Sequence, residues 1–73
     1  MINHLSRREL EVLHLIAYEH STVGIAQELQ ISYNTALTHR KNLLHKVGAK
    51  NSAGLIVKGF LFGLLEPAKF EIT

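Results

Sequence analysis

The chain contains no cysteine, and its single proline is Pro67. The lack of cysteine excludes a disulfide scaffold, a thiolate zinc site and a cysteine nucleophile, and it suits a reducing compartment. Long apolar runs are also missing, because the longest, 53–65, is interrupted by Lys58 and falls short of the roughly 20 residues that a membrane-spanning helix needs. Residues 1–8 lack the apolar core of a signal peptide. We therefore expect a cytoplasmic protein with no membrane span.

Chain length is the next limit. With 73 residues, of which 47% are hydrophobic and 19% charged, the sequence can form one globular domain with a modest core. We expect a single domain over 1–73, with its core in 5–65 and a tail in 66–73. A domain of this size has little room for an enzyme-sized cleft, which favours a binding module over an enzyme.

Acidic residues are absent from 31–58, and this segment carries five basic residues, which are Arg40, Lys41, Lys46, Lys50 and Lys58. Its local charge of +5 contrasts with −2 for residues 1–30 and −1 for residues 59–73, in a chain whose total is +2. Such a layout points one face of a small domain at a polyanion.

Cap residues and apolar spacing predict an all-α fold, beginning with two short helices. Ser6 and Glu9 form a capping box that starts helix 1 at Arg7, and its apolar pattern fades at 18–20. Ser21 is placed to cap helix 2 over 22–30, in which glycine occupies position 24. Only residues 30–32 separate helix 2 from the next helix, and so short a connection makes two helices cross steeply, as in a helix-turn-helix.

Helix 3, predicted over 33–47 with Ser32 as its cap, has two distinct faces. At 100° per residue, the apolar side chains of Ala36, Leu43 and Val47 fall together and should face the core. The opposite side is formed by Asn34, Thr38, Lys41 and His45, with Leu37 at its margin and a polar flank of Thr35, Asn42 and Lys46. Amide, hydroxyl and cationic groups on one stripe can read base edges and contact phosphates in a DNA major groove.

Helix 4 is predicted to start at Ser52, which we interpret as its cap, and to run to about Leu65, after a stop at Gly48. Apolar residues occupy nearly its whole circumference, so one core cannot cover every side. We interpret the excess as a dimer interface, although deep burial or a covering domain would also explain it. Gly59 and Gly63 would permit another helix to approach closely.

The order of residues resembles the LuxR-type (GerE-type) helix-turn-helix domain of bacterial transcription regulators. The resemblance covers about 5–65 and rests on these fragments: Leu5-Ser6-x-Arg8-Glu9-x-Glu11-Val12-Leu13, Leu15-Ile16-Ala17, Ile25-Ala26-x-Glu28-Leu29, Ile31-Ser32-x-x-Thr35, His39, Asn42 and Lys46-x-Gly48-Ala49. It implies a four-helix, all-α fold in which helix 3 lies in the major groove of double-stranded DNA and helix 4 often mediates dimerisation.

The resemblance also implies roles for single residues. The base-reading positions of the family fall on Leu37, Thr38 and Lys41. Its phosphate-contacting positions fall on Ser32, Thr35, Asn42 and Lys46, and we add Asn34 and His45. For a homodimer through helix 4 we expect an interface of Leu55, Lys58, Phe60, Leu61 and Phe62.

The sequence departs from the family pattern at four positions. The family usually has lysine at the position of Leu37 and often has it at the position of Val23, so two cationic contacts are missing. Arg40 stands where the family is often apolar, and we expect its side chain to snorkel outward. The family tends to have glutamate at the position of Gly24, where it would complete a capping box.

No catalytic, metal or cofactor site can be drawn from the sequence. The five histidines include no pair spaced i, i+4, there is no nucleophile arrangement or phosphate-binding glycine loop, and no small-molecule ligand is evident. We therefore predict a bacterial DNA-binding transcription regulator, or its C-terminal effector domain, that acts as a dimer. The alternative is a protein-interaction module that keeps this fold for pairing with another regulator and binds DNA weakly or not at all.

Overall fold

The computed structural model describes residues 4–66, which form four α-helices and, within that range, no strand. The helices are α1 (Arg7–Ala17), α2 (Thr22–Leu29), α3 (Tyr33–Val47) and α4 (Ser52–Leu61). The prediction of an all-α, four-helix fold is confirmed. Most of the predicted tail, 67–73, lies outside the described residues. No helix within 4–66 is long and apolar enough to cross a membrane.

Side-chain caps start the first three helices where the sequence predicts them. Ser6 and Glu9 form the complete capping box of α1, and the side chains of Ser21 and Ser32 accept the N3 backbone N–H of α2 and α3. Helix α2 ends one residue before the predicted position, because Gln30 adopts the left-handed conformation with φ 56°. That residue turns the chain into α3, which has the predicted bounds.

The core lies where the four helices meet. Its largest fully buried side chains come from α1, α2, α3, α4 and the segment after α4, and they are Val12, Leu13, Ile25, Leu43, Leu55 and Leu65. Ala36 and Val47, the other two residues predicted to face inward from α3, are also buried. The predicted inner face of α3 is therefore confirmed.

Two predictions about α4 are wrong. Its cap is Asn51, whose side chain accepts the Gly54 N–H, while Ser52 is the first helical residue. The helix also ends at Leu61, four residues before the predicted end. Asparagine and serine cap helices about equally well, so their order alone did not decide which of the two residues does so.

The chain reverses after α4 and returns to the core. Gly63 has φ 73°, a left-handed conformation that glycine adopts without strain. The backbone N–H groups of Leu64 and Leu65 then donate to the Gly59 carbonyl, at 2.8 and 3.1 Å. Gly59 is buried, and the side chain of Leu65 packs directly over it. The close approach that Gly59 permits is therefore to a residue of its own chain, not to another helix.

Candidate nucleic-acid interface

The polar side of α3 is presented to solvent as the helical wheel predicts. Asn34, Thr38, Lys41 and His45, which we call the outer face of α3, are all exposed. Thr35 and Asn42 on the adjacent flank are exposed as well, and Leu37 at the margin is half-buried. The buried inner face lies on the opposite side of the same helix. The structure therefore brings the predicted base-reading residues and most of the predicted phosphate-contacting residues onto one surface.

Hydrogen bonds between Ser32 and Thr35 at the start of α3 leave the hydroxyl hydrogen of Thr35 as a donor. Ser32 Oγ accepts the backbone N–H of Thr35 at 3.0 Å, and its hydroxyl donates to Thr35 Oγ1 at 2.8 Å. The hydroxyl hydrogen of Thr35 is not used in either bond. Because a helix N-terminus also carries partial positive charge, this exposed end of α3 is suited to a phosphate oxygen.

The hydroxyl of Thr38 is engaged with its own helix. Thr38 Oγ1 donates to the carbonyl oxygen of Asn34, one turn earlier, at 3.0 Å. This leaves the threonine methyl group and the oxygen lone pairs for an external partner. Lys41, one turn beyond Leu37 on the same side, projects its ammonium from an exposed position.

Lys46 is tied to a buried carboxylate. Its Nζ lies 2.9 Å from Glu9 Oε1, and the same oxygen accepts the backbone N–H of Ser6 at 2.8 Å. Burial raises the pKa of the Glu9 carboxyl, but the hydrogen bonds from Ser6 and Lys46 outweigh burial and hold the pKa below its ordinary value. Lys46 therefore joins α3 to α1, and the ammonium predicted for a phosphate has an internal partner.

Arg40 and Lys58 also bond within the chain. Arg40 Nη2 donates to Ser52 Oγ at 2.6 Å, and Lys58 Nζ donates to the carbonyl oxygen of Gly48 at 2.5 Å. Arg40 is half-buried, and its guanidinium reaches the first residue of α4. Three of the five basic residues in 31–58 are thus engaged internally, whereas Lys41 and Lys50 remain exposed.

The predicted dimer surface on α4 needs correction at one residue. Leu55 is fully buried in the core, so it offers no surface to a second chain. Leu61 and Phe62 are exposed to 74% and 48%, Phe60 is half-buried, and the ammonium of Lys58 is occupied at Gly48. Val57, which was not among the residues predicted for this surface, is 59% exposed. Its position one turn before Leu61 on α4 was the available signal.

Metal binding finds no support in the described residues. Within 4–66, no group of three or more His, Cys, Asp or Glu side chains is placed to hold a metal ion. The Nδ1 atoms of His14 and His20 instead lie 2.8 and 3.2 Å from backbone carbonyl oxygens of α1.

Residues 3–58 match the family described as bacterial regulatory proteins, luxR family. Among curated proteins, the chain is 37% identical over 62 residues to the spore germination protein GerE of Bacillus subtilis, covering 85% of this chain and 84% of GerE. It is 48% identical over 52 residues to the transcriptional regulatory protein MctR of Rhizobium johnstonii, covering 71% of this chain. The chain spans only 24% of MctR and, similarly, 29% of the oxygen regulatory protein NreC of Staphylococcus aureus.

Solved structures show the same fold. The response regulator ChrA of a heme-sensing two-component system superposes with a TM-score of 0.82 at 30% identity, covering 86% of this chain and 31% of ChrA. The transcription factor GerE superposes with a TM-score of 0.77 at 31% identity, covering 85% of this chain and 92% of GerE. A VqmA–ligand–DNA complex of Vibrio cholera has a TM-score of 0.77 at 30% identity, covering 94% of this chain and 31% of VqmA.

The capping box, the short α2–α3 connection, the exposed polar face of α3 and these similarities agree with one another. The chain belongs to the luxR family of bacterial regulatory proteins and is a helix-turn-helix DNA-binding domain of that family.

Proposed function

We propose that this domain binds double-stranded DNA by placing α3 in the major groove, with the outer face of α3 toward the base pairs. Leu37, Thr38 and Lys41 read base edges in this arrangement. Lys41 donates to guanine or to a phosphate, whereas Leu37 and the methyl group of Thr38 contact thymine methyl groups. The observation that carries the proposal is the exposed, acid-free outer face of α3, with Lys41 at its centre and a buried apolar face behind it.

Polar groups around this face hold the DNA backbone. Thr35 supplies a free hydroxyl donor at the N-terminus of α3, beside the capping Ser32, while Asn34, Asn42 and His45 supply further donors. An ammonium has three N–H donors, so Lys46 keeps two for a phosphate while it remains paired with Glu9. These contacts fix the register of α3 on the duplex, and the base contacts supply sequence preference.

A salt titration tests DNA binding directly. The purified domain is titrated into a fluorescent random-sequence duplex, and anisotropy is followed at about 50 mM and about 200 mM salt. We expect affinity to fall by orders of magnitude between the two conditions, because binding releases counterions from phosphates. Absence of binding at the lower salt concentration would overturn the proposal.

Matched charge variants assign the binding face. Lys41→Ala should weaken binding and reduce the salt slope by about 1. Arg7→Ala removes the same charge from an exposed position on α1, and it should leave the slope nearly unchanged. Equal effects of the two substitutions would show that binding follows net charge and not the outer face of α3.

We also propose that the domain forms a homodimer through α4. Val57, Leu61 and Phe62 are exposed apolar residues on the helix or at its end, and Phe60 lies partly exposed beside them. Burial of such a patch between two copies removes apolar surface from water. A two-fold axis would present two α3 helices to two half-sites.

Sedimentation velocity over a range of protein concentrations tests the dimer. Leu61→Glu should shift the domain to monomer, whereas Val23→Glu, at an exposed apolar residue of α2, should not.

The alternative function, a module that pairs with a different regulator, is favoured by the same apolar patch. It predicts a monomeric domain with no salt-sensitive DNA binding, so the two experiments together separate the alternatives.

A further inference from the structure

Two polar contacts that run in opposite directions hold the corner between α3 and α4. From α3, the guanidinium of Arg40 reaches Ser52 Oγ, in the first residue of α4, at 2.6 Å. From α4, the ammonium of Lys58 reaches the carbonyl oxygen of Gly48, the C-cap of α3, at 2.5 Å. Each helix therefore holds one end of the other.

These contacts restrict the orientation of α4 relative to α3 at a corner that is otherwise held by apolar packing. Leu43 and Val47 of α3 belong to the same core cluster as Leu55 of α4. Apolar burial depends on area and has little directional preference. Hydrogen bonds from charged donors require short distances and defined angles. The two polar contacts therefore restrict how far α4 can pivot relative to α3.

The restricted angle connects two surfaces with different proposed tasks. The outer face of α3 meets DNA, and Leu61 and Phe62 at the far end of α4 meet the second copy. We infer that Arg40 and Lys58 are positioning residues that set the separation of the two half-sites that a dimer can read. This inference rests on the proposed function, because it requires both DNA binding through α3 and dimerisation through α4.

A small change in the angle between α3 and α4 is enough to move the far end of α4 by a distance comparable to one base-pair step. Helix α4 has ten residues and is therefore about 15 Å long. A pivot of about 10° at Ser52 would move the far end of such a helix by about 2.6 Å. Successive base pairs of B-DNA are about 3.4 Å apart. Because a two-fold axis repeats the displacement in both protomers, such a pivot changes the preferred separation by about one to two base pairs.

A half-site spacing assay tests the inference. Wild-type protein first selects its preferred half-site from a pool of random-sequence duplexes. Duplexes with two inverted copies of that half-site, separated in steps of one base pair, are then titrated by anisotropy beside a duplex with one copy. We expect wild type to prefer one spacing over its neighbours by about tenfold, the cost of a misplaced base contact.

Removal of both contacts should broaden this preference. The variant Ser52→Ala with Lys58→Met should discriminate between neighbouring spacings by about threefold or less, since a loosened corner accommodates more separations. Its affinity for the single half-site should equal that of Lys50→Met, which loses the same charge, and sedimentation velocity should show the same dimer as wild type, because the Lys58 ammonium bonds within its own chain. Ser52→Thr retains a hydroxyl acceptor for Arg40 and should retain the sharp wild-type profile. Lys50→Met, at an exposed lysine in the same connection, controls for the loss of one charge.

The outcomes separate the inference from the function on which it rests. A wild-type spacing profile in the double variant would overturn the inference and leave the dimer intact. Absence of DNA binding, or of any spacing preference in wild type, would overturn the proposed function and this inference with it. If circular dichroism shows that the double variant does not fold, Ser52→Ala alone provides the test, because alanine is well tolerated in a helix.

Discussion

The ammonium of Lys46 lies 2.9 Å from Oε1 of Glu9, and this contact joins α3 to α1 across 37 positions in the sequence. The carboxylate also accepts the Ser6 backbone N–H in the α1 capping box. One side chain therefore starts α1 and fixes the position of α3 relative to it.

This ion pair should make the free energy of unfolding depend on pH in the acidic range. The folded state lowers the pKa of Glu9, so its stabilising contribution is complete above the pKa of an unfolded glutamate, about 4.3, and is lost as pH falls through the lower folded value. Glu9→Gln should cost about 1–3 kcal/mol at neutral pH. In urea unfolding, the difference between wild type and Glu9→Gln should shrink between pH 7 and pH 3. A constant difference would contradict this prediction.

Gly24→Ala should stabilise the domain. Gly24 lies in the first turn of α2, and an added Cβ would lie 3.5 Å from Ser21 Oγ and 3.6 Å from His20 Cδ2, which are ordinary contact distances. Glycine destabilises a helix by about 0.5–1 kcal/mol relative to alanine, so the melting temperature should rise by a corresponding amount. Gly24→Glu should stabilise further if it completes a capping box with Ser21. An unchanged or lower melting temperature for Gly24→Ala would show that the site is less open than its distances indicate.

Gly59→Ala should destabilise the domain by about 1–3 kcal/mol, through overpacking. An added Cβ would lie 2.8 Å from Leu65 Cδ1 and 3.2 Å from Leu65 Cγ, so the buried side chain of Leu65 would have to shift. Gly54→Ala is the matched control on the same helix, since its Cβ would lie no closer than 3.6 Å to the nearest side chain. In urea unfolding, the change in the free energy of unfolding should therefore have opposite signs for the two substitutions. Equal signs would refute the close-packing argument.

Thr38 should read DNA through its methyl group. The hydroxyl of Thr38 donates to the Asn34 carbonyl. Thr38→Val keeps the original methyl group and replaces the hydroxyl with a second methyl group, so it should preserve base preference in selection from random duplexes. Thr38→Ser keeps the hydroxyl and removes the methyl group. It should lose about 1 kcal/mol of discrimination at one base position, the lower end of the range for specific contacts. Loss of preference in the valine variant alone would instead assign the readout to the oxygen.

Local signals in the sequence predicted much of the fold. The caps at Ser6, Ser21 and Ser32 act within three residues of themselves, and the apolar spacing of α3 depends only on helical geometry. These features therefore predicted the first and last residues of α1, α2 and α3 to within about one residue. The exposure of the outer face of α3 followed from the same wheel, whereas the DNA contacts assigned to its residues stay predictions.

Contacts between distant residues could not be predicted in this way. The pairing of Lys46 with Glu9, the reach of Arg40 to Ser52 and the burial of Leu55 depend on how the helices pack. Helix 4 shows the difference most clearly. After Lys58, glycine and apolar residues continue to Leu65, so the sequence carried no periodic sign that Gly63 turns the chain back.

The return of Leu65 over Gly59 has a practical consequence for where this folding unit can be cut. The family match ends at residue 58, yet Leu65 fills part of the core beside Gly59 and Leu13. A fragment that stops at the family boundary would lack both the last turn of α4 and this closing side chain, and would leave Leu13 facing water. Fusions and truncations of this domain should therefore keep residue 65 and place any junction beyond it.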